Sequence, residues 1–394
     1  MVFHRFIGAV LLIIGTSIGG GILALPLVTS LGGFWHSSFL LIGVWFLMTL
    51  GAFFVLEITL WLPEDSNMVS MARHTLGKIG QGITWIVYLL LLYTLLSAFM
   101  AGGTNLLANV LALISINFPH WVDSLLFLVL LGSIVADGIR SVDWANRGLM
   151  TVKFGSYLLL VILLMPHIQM PLLPKGSWHA VLPAVMPVIT SFGFAIVMPS
   201  LRGYLMNNVK LLRLSLVIGS LIPLLCYLVW DFVVQGTVSS EGQGGLAAMV
   251  QAPDAVAQLT NALSDSLNNS WISTIVHVFT AICITTSFLG VSLSLNDFLA
   301  DGLQVTKKGG GRWICLALTY IPPLIVILLY PGAFIKAISY AGIFVVILLM
   351  LLPGLMFWAG VRHQPQYSIL WKRLAALEIL VSLALTVFGI IQTL

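Results

Sequence analysis

Charge is what this chain most lacks. Of its 394 residues only 8% are Asp, Glu, Lys or Arg, and 59% are apolar, where soluble domains carry about 25% charge. Two or three soluble domains of this total length would need a charged surface that the composition does not supply. From Phe6 to Leu56 no Asp, Glu, Lys or Arg occurs, and a helix needs only ~20 apolar residues to span a bilayer. Cysteine is scarce as well. Cys226, Cys283 and Cys315 each sit in an apolar run at no metal-ligand spacing, which speaks against a disulfide framework or a metal site. There is no H-E-x-x-H and no facing pair of intramembrane aspartates, so an embedded enzyme lacks its constellation and no cofactor is expected. The net charge of +4 is scattered between apolar runs and forms no patch for nucleic acid. What remains is a protein whose solvent is the lipid bilayer.

Cutting at charged and Pro/Gly/Asn-rich punctuation gives eleven apolar segments, near 6–30, 34–61, 83–112, 121–137, 149–168, 181–206, 212–235, 271–298, 313–330, 333–357 and 370–393. The first lacks an A-x-A cleavage site and stays apolar too long for a signal peptide, so it reads as a retained span. With the N-terminus cytoplasmic, 15 of the 17 Lys and Arg fall on the inside, leaving Lys175 and Lys336 outside. The loop of residues 236–270 carries Glu241, Asp254 and Asp265 but no Lys or Arg, as an external loop should. The C-terminus is then external.

Eleven spans accommodate two five-helix repeats, about 6–168 and 181–357, within one transmembrane domain of residues 1–394, with an extra helix at about 370–393. Five is odd, so the second repeat enters from the opposite face. Its first helix and that of repeat one are both interrupted by small residues near mid-membrane: Gly15, Thr16, Ser17, Ile18, Gly19, Gly20 and Gly21 in one, Thr190, Ser191, Phe192, Gly193 and Phe194 in the other. Interrupted helices at matching places of inverted halves point to a transporter binding site. Small residues every fourth position would make a packing face, but three glycines in a row weaken the helix and expose backbone groups. The stretch also fits G-x-S-x-G and G-x-G-x-x-A, yet both need a preceding strand, and an apolar helix precedes it. A second half-helix starting near Gly21 would turn free N–H groups and a positive dipole end toward a carboxylate. Carbonyls ending the first half, near Gly15 and Thr16, would hold an ammonium or a cation. An amino-acid zwitterion fits both ends.

Intramembrane ionisable groups are functional candidates by default. Glu57 is placed to accept bonds from N–H groups freed at the breaks or to carry a proton. Lys153 lies six residues beyond Arg147, roughly 9 Å along the helix, and either snorkels or points into the bundle as a titratable amine. Asp231, Asp297 and Glu378 fall near segment ends, where the interface is expected to hold them. His277 is a weak relay candidate. Thr285, Thr286 and Ser287 offer hydroxyls to substrate or to Na⁺, or bond their own helix. Tyr93 and Ser97 share a helix face, and Tyr340 opens the tenth segment; aromatics at such places can wall a pocket.

Taken together, these motifs resemble the hydroxy and aromatic amino acid permease family along the whole chain. The resemblance rests on Gly15 to Pro26, on Leu56-Glu57, on Thr190 to Phe194 followed by Pro199-Ser200, and on Thr286 to Val291 followed by Asp297 to Asp301. It implies an all-α membrane protein of the LeuT type, two inverted five-helix repeats with helices one and six broken plus an eleventh helix. It also implies uptake of an aromatic amino acid, tyrosine above all, with protons across the bacterial inner membrane. Thr16 to Gly21 and Ser191 to Phe194 are then expected to line the substrate's backbone site, and Lys153 matches a helix-five lysine that stands where sodium sits in sodium-driven relatives. Many members have a histidine where this chain has Ala195, so no imidazole role carries over. Two alternatives stay open: a sodium-coupled symporter using Gly15, Ile18, Thr285 and Thr286 as its cation site, and an amino-acid sensor that binds without moving substrate.

Overall fold

The computed structural model describes residues 2–393 apart from 64, 65, 174, 243, 267–269, 306–309 and 362–366. Lys307, Lys308 and Arg362, three of the cations placed inside, lie outside the described residues. Among those described, ten helices are long and apolar enough to cross a membrane, and a bent pair, His4–Ser17 and Gly21–Ser30 at 52°, makes eleven if taken as one span. The pair is the first span. The others, second to eleventh, are Phe34–Trp61, Met68–Ala112, His120–Asp137, Ile139–His167, Trp178–Tyr204, Val209–Thr237, Trp271–Leu303, Gly310–Leu329, Ala333–Gly360 and Ile369–Thr393.

The third span starts well before the expected residue 83. An Asn67/Ser70 capping box opens a helical stretch that runs up to Gly77, where φ of +75° turns the chain into the membrane run, a conformation glycine adopts without cost. The loop after the seventh span is also more ordered than its composition suggests. It contains the helices Leu246–Met249 and Ala255–Asp265, whose Leu246, Val256, Leu259 and Leu263 are buried.

The first, second, sixth and seventh spans pack on one another, as do the third, fourth, eighth and ninth. The fifth lies on the eighth, and the tenth runs between the third, the sixth and the eleventh. The first, sixth and tenth spans are irregular as well. The first breaks over Ile18, Gly19 and Gly20. The sixth stops as an α-helix at Ser191, passes through a 3₁₀ turn at Gly193–Val197 and resumes at Met198. The tenth widens into a π-helix at Ile347–Leu351, a distortion that recurs at functional sites. Non-helical backbone at membrane depth is tolerated where protein or a cavity covers it.

Candidate functional site

A cavity of about 510 Å³ lies at the two breaks. Its lining takes residues between Leu11 and Gly21 on the first span, between Tyr88 and Phe99 on the third, Asn146 and Met150 on the fifth, residues between Thr190 and Ser200 on the sixth and between Thr286 and Ser294 on the eighth, and Ile338, Val345 and Leu349 on the tenth. Odd-numbered spans thus contribute their first or middle stretches, whereas the sixth and eighth contribute their middles and later stretches. The cavity therefore runs from mid-membrane toward the face that carries the N-terminus. On the other face it is shut: Ile22 to Ser30 are all buried. The loop after the seventh span is pinned there by Asn105 Nδ2 donating to Pro253 O at 2.7 Å and Asn109 Nδ2 to Asn261 Oδ1 at 3.1 Å.

The glycines at the first break permit close approach. A Cβ on Gly19 would stand 2.5 Å from Ser287 Oγ, one on Gly20 2.6 Å from the Phe99 ring, and one on Gly21 2.9 Å from Ser191 Oγ. The Gly20 N–H donates to Ser287 Oγ at 2.7 Å, so a hydroxyl of the eighth span caps the start of the second half-helix. That start, with its positive dipole end, faces the cavity between Ser191 and Ser287. The hydroxyls of Thr16, Ser17, Thr190 and Ser191 donate to carbonyls four residues back in their own helices, leaving acceptor lone pairs for a ligand.

At the end of the first half-helix the Ser17 and Ile18 carbonyls, just beyond Gly15 and Thr16, already have donors. Tyr227 of the seventh span, fully buried, has its hydroxyl 2.6 Å from Ser17 O and 2.9 Å from Ser191 O. One phenol thus bridges the ends of both broken helices. Lys153 does not snorkel. It is 1% exposed, and its Nζ donates to Ile18 O at 2.6 Å and to Thr286 Oγ1 at 3.4 Å. An amine therefore occupies the place that Ile18 and Thr286 would offer a cation. Thr285 is not on the cavity wall, and Gly15 is there against Met150.

Several expected wall residues stand elsewhere. Tyr93 turns to the ninth span and donates to Leu318 O at 2.8 Å, and Ser97 donates back to Tyr93 O. The cavity face of the third span is instead Tyr88, Leu91, Leu92, Leu95 and Phe99. An all-apolar helix does not reveal its rotation. Phe192 is buried against Tyr227, with ring centroids 5.2 Å apart, and Phe194 is buried in the core. Ile18 contributes its carbonyl rather than its side chain. Tyr340 is 41% exposed, and its hydroxyl donates to Thr393 O in the eleventh span.

Among the described residues Glu57 bonds no group of the breaks. It accepts from Arg213 Nε at 3.0 Å and Nη2 at 2.6 Å, and from Tyr367 Oη at 2.7 Å. These bonds tie the second span to the start of the seventh and the approach to the eleventh. Beside it, Arg202 donates to Thr59 O and Leu62 O at the end of the second span. Asp231 and Glu378, expected at the interface, are 1% and 0% exposed. His277 Nδ1 lies 2.8 Å from Ser273 O of its own helix.

Two spans broken at mid-membrane around a cavity that opens to one face define a membrane transporter of the LeuT type. The chain belongs to the tryptophan/tyrosine permease family, which it matches over residues 3–394; this is a family of permeases, not enzymes. It is 33% identical over 362 residues to tyrosine-specific transport system 1 of Haemophilus influenzae, covering 91% of this chain and 89% of that protein. It is 29% identical over 377 residues to the tryptophan-specific transport protein of the same organism, covering 92% and 89%. Its fold matches the crystal structure of MhsT in complex with L-phenylalanine, with TM-score 0.67 and 15% identity over 98% of both chains.

Proposed function

We propose that the chain imports an aromatic amino acid, tyrosine above all, with protons across a bacterial inner membrane by alternating access of two inverted repeats. The observation that carries this reading is Lys153 Nζ at 2.6 Å from Ile18 O, the carbonyl at the break from which the half-helix facing the cavity departs. The amine forms no ion pair among the described residues, and an ammonium buried without a carboxylate is costly. Gain and loss of its proton therefore bear directly on the geometry of the first break. A proton-carrying amine at this place leaves no room for Na⁺ between Ile18 and Thr286.

The lining supports the substrate class. No Asp, Glu, Lys, Arg or His lines the cavity among the described residues, so a charged side chain would be buried without a partner, whereas a neutral amino acid presents only its zwitterion. The substrate carboxylate sits on the Gly19 to Gly21 end with Ser287 and Ser191, and the ring lies among Leu92, Leu95, Phe99 and Val291. The relatives named for tyrosine and tryptophan transport agree with this assignment. The positive-inside distribution supports a cytoplasmic N-terminus, and on that reading the cavity faces inward. Counterflow of labelled tyrosine in proteoliposomes tests the reading: unlabelled tyrosine, tryptophan or phenylalanine inside the vesicles should drive label uptake, and lysine or glutamate should not. Absence of counterflow with binding intact would identify a sensor.

A further inference from the structure

Glu378 lies ten residues into the eleventh span, fully buried, and neither carboxyl oxygen has a hydrogen-bond partner. It stands where three spans meet. A side chain built on Gly51 of the second span would stand 3.1 Å from Glu378 Oε1 and would collide with the Leu349 carbonyl, and one on Gly354 of the tenth would stand 3.7 Å from Glu378 Cγ. Gly51 therefore brings the Glu378 carboxyl and the Leu349 carbonyl to a common point. Leu349 belongs to the π-helix of the tenth span. Four residues on is Pro353, which has no N–H, so the donor that an α-helix would supply to Leu349 O is missing.

The surroundings select the form of the acid. On the tenth span no titratable side chain lies between Tyr340 and Gly360, and Tyr340 is engaged by Thr393 O. Glu57 on the second span is held by Arg213 and Tyr367. Lys372 and Arg373 on the eleventh are exposed, and Ser382, one turn beyond Glu378, donates to Ile379 O. Among the described residues a carboxylate at this point has no cation and no donor, which is costly in the membrane. A neutral carboxylic acid carries one O–H donor, and Leu349 O, which gets no donor from Pro353, is the acceptor that Gly51 leaves beside it.

We propose that Glu378 is a proton-binding site, at which the neutral acid donates to Leu349 O and ties the eleventh span to the π-turn of the tenth. Releasing the proton to water leaves a carboxylate facing a carbonyl, and the junction loosens. The side chains of Leu349 and Val345 line the cavity, so the proton acts on the cavity wall from outside the cavity. The site is separate from Lys153 and does not depend on the substrate or on the role assigned to that amine.

Purified full-length protein tests this without transport. The bond needs the neutral acid, so the melting temperature is retained at acid pH and falls as pH rises, whereas Glu378→Gln, whose amide donates at every pH, flattens that part of the fall. Infrared difference spectra in H₂O and D₂O should show a protonated-carboxyl band that Glu378→Gln removes. Identical pH profiles and identical spectra for the two proteins would overturn the site. Glu378→Leu removes the donor and lowers the melting temperature, and Glu378→Gln, which keeps a donor at the same place, should keep at least half of what Glu378→Leu loses. An equal loss in Glu378→Leu and Glu378→Gln would overturn the role assigned to the bond with Leu349 O.

Discussion

Gly20 shows how narrowly one residue sets the site. Its N–H donates to Ser287 Oγ at 2.7 Å, and its missing Cβ leaves room for Phe99. A methyl group there stands 2.6 Å from the ring, so Gly20→Ala pushes Phe99 into the cavity. Tyrosine affinity should fall on the order of tenfold, one unwelcome contact being worth about 1–3 kcal/mol in an apolar pocket. Phe99→Ala in the same chain should restore part of it; measured by scintillation proximity, an affinity unchanged by Gly20→Ala would remove the break from the site. The glycine run was readable because consecutive glycines have few other uses in a spanning helix. Phe99 was not, since Tyr93 and Phe99 lie on different faces of one apolar helix and only packing chooses between them. Tyr227 was hidden for the same reason: a tyrosine in an apolar span gives no sign of the two carbonyls it will meet.

At the scale of elements, the ends of the second, seventh and eleventh spans are held by polar bonds, whereas the cavity wall is made of irregular helix. Glu57 is 1% exposed, while the Arg213 side chain of the pair is 49% exposed, so water screens part of the attraction. Losing Glu57 also leaves the partly buried Tyr367 phenol without its acceptor, while the half-exposed Arg213 guanidinium turns to water. Glu57→Ala should lower stability by roughly 1–3 kcal/mol, read as a drop in melting temperature in detergent, with Glu57→Gln losing less because the Tyr367 bond survives. A silent Glu57→Ala would show that the network holds nothing. Eleven spans were legible from apolar runs and from where the cations fall. The burial of Asp231 and Glu378 was not, because position along a segment gives depth in the membrane but not which side faces protein.

For the whole molecule, the cavity opens on the N-terminal face and is closed on the other by Ile22 to Ser30 and the helical loop after the seventh span. With Cys226, Cys283 and Cys315 replaced, cysteines at Ser200 and Ser294 should react with an impermeant maleimide from the cytoplasmic side in inverted vesicles, and one at Leu27 should react from neither side. Labelling of Leu27→Cys from outside at the rate of Ser200→Cys would reverse the assigned direction. The central claim is that a proton on Lys153 couples tyrosine import to the pH gradient. Its most direct measurement is uptake of labelled tyrosine into proteoliposomes under an imposed inward proton gradient, in sodium-free buffer, for the unaltered chain and for Lys153→Ala. The account predicts accumulation above equilibrium for the former, and for Lys153→Ala no accumulation but preserved counterflow. Accumulation that requires Na⁺, or that survives undiminished in Lys153→Ala, would contradict it.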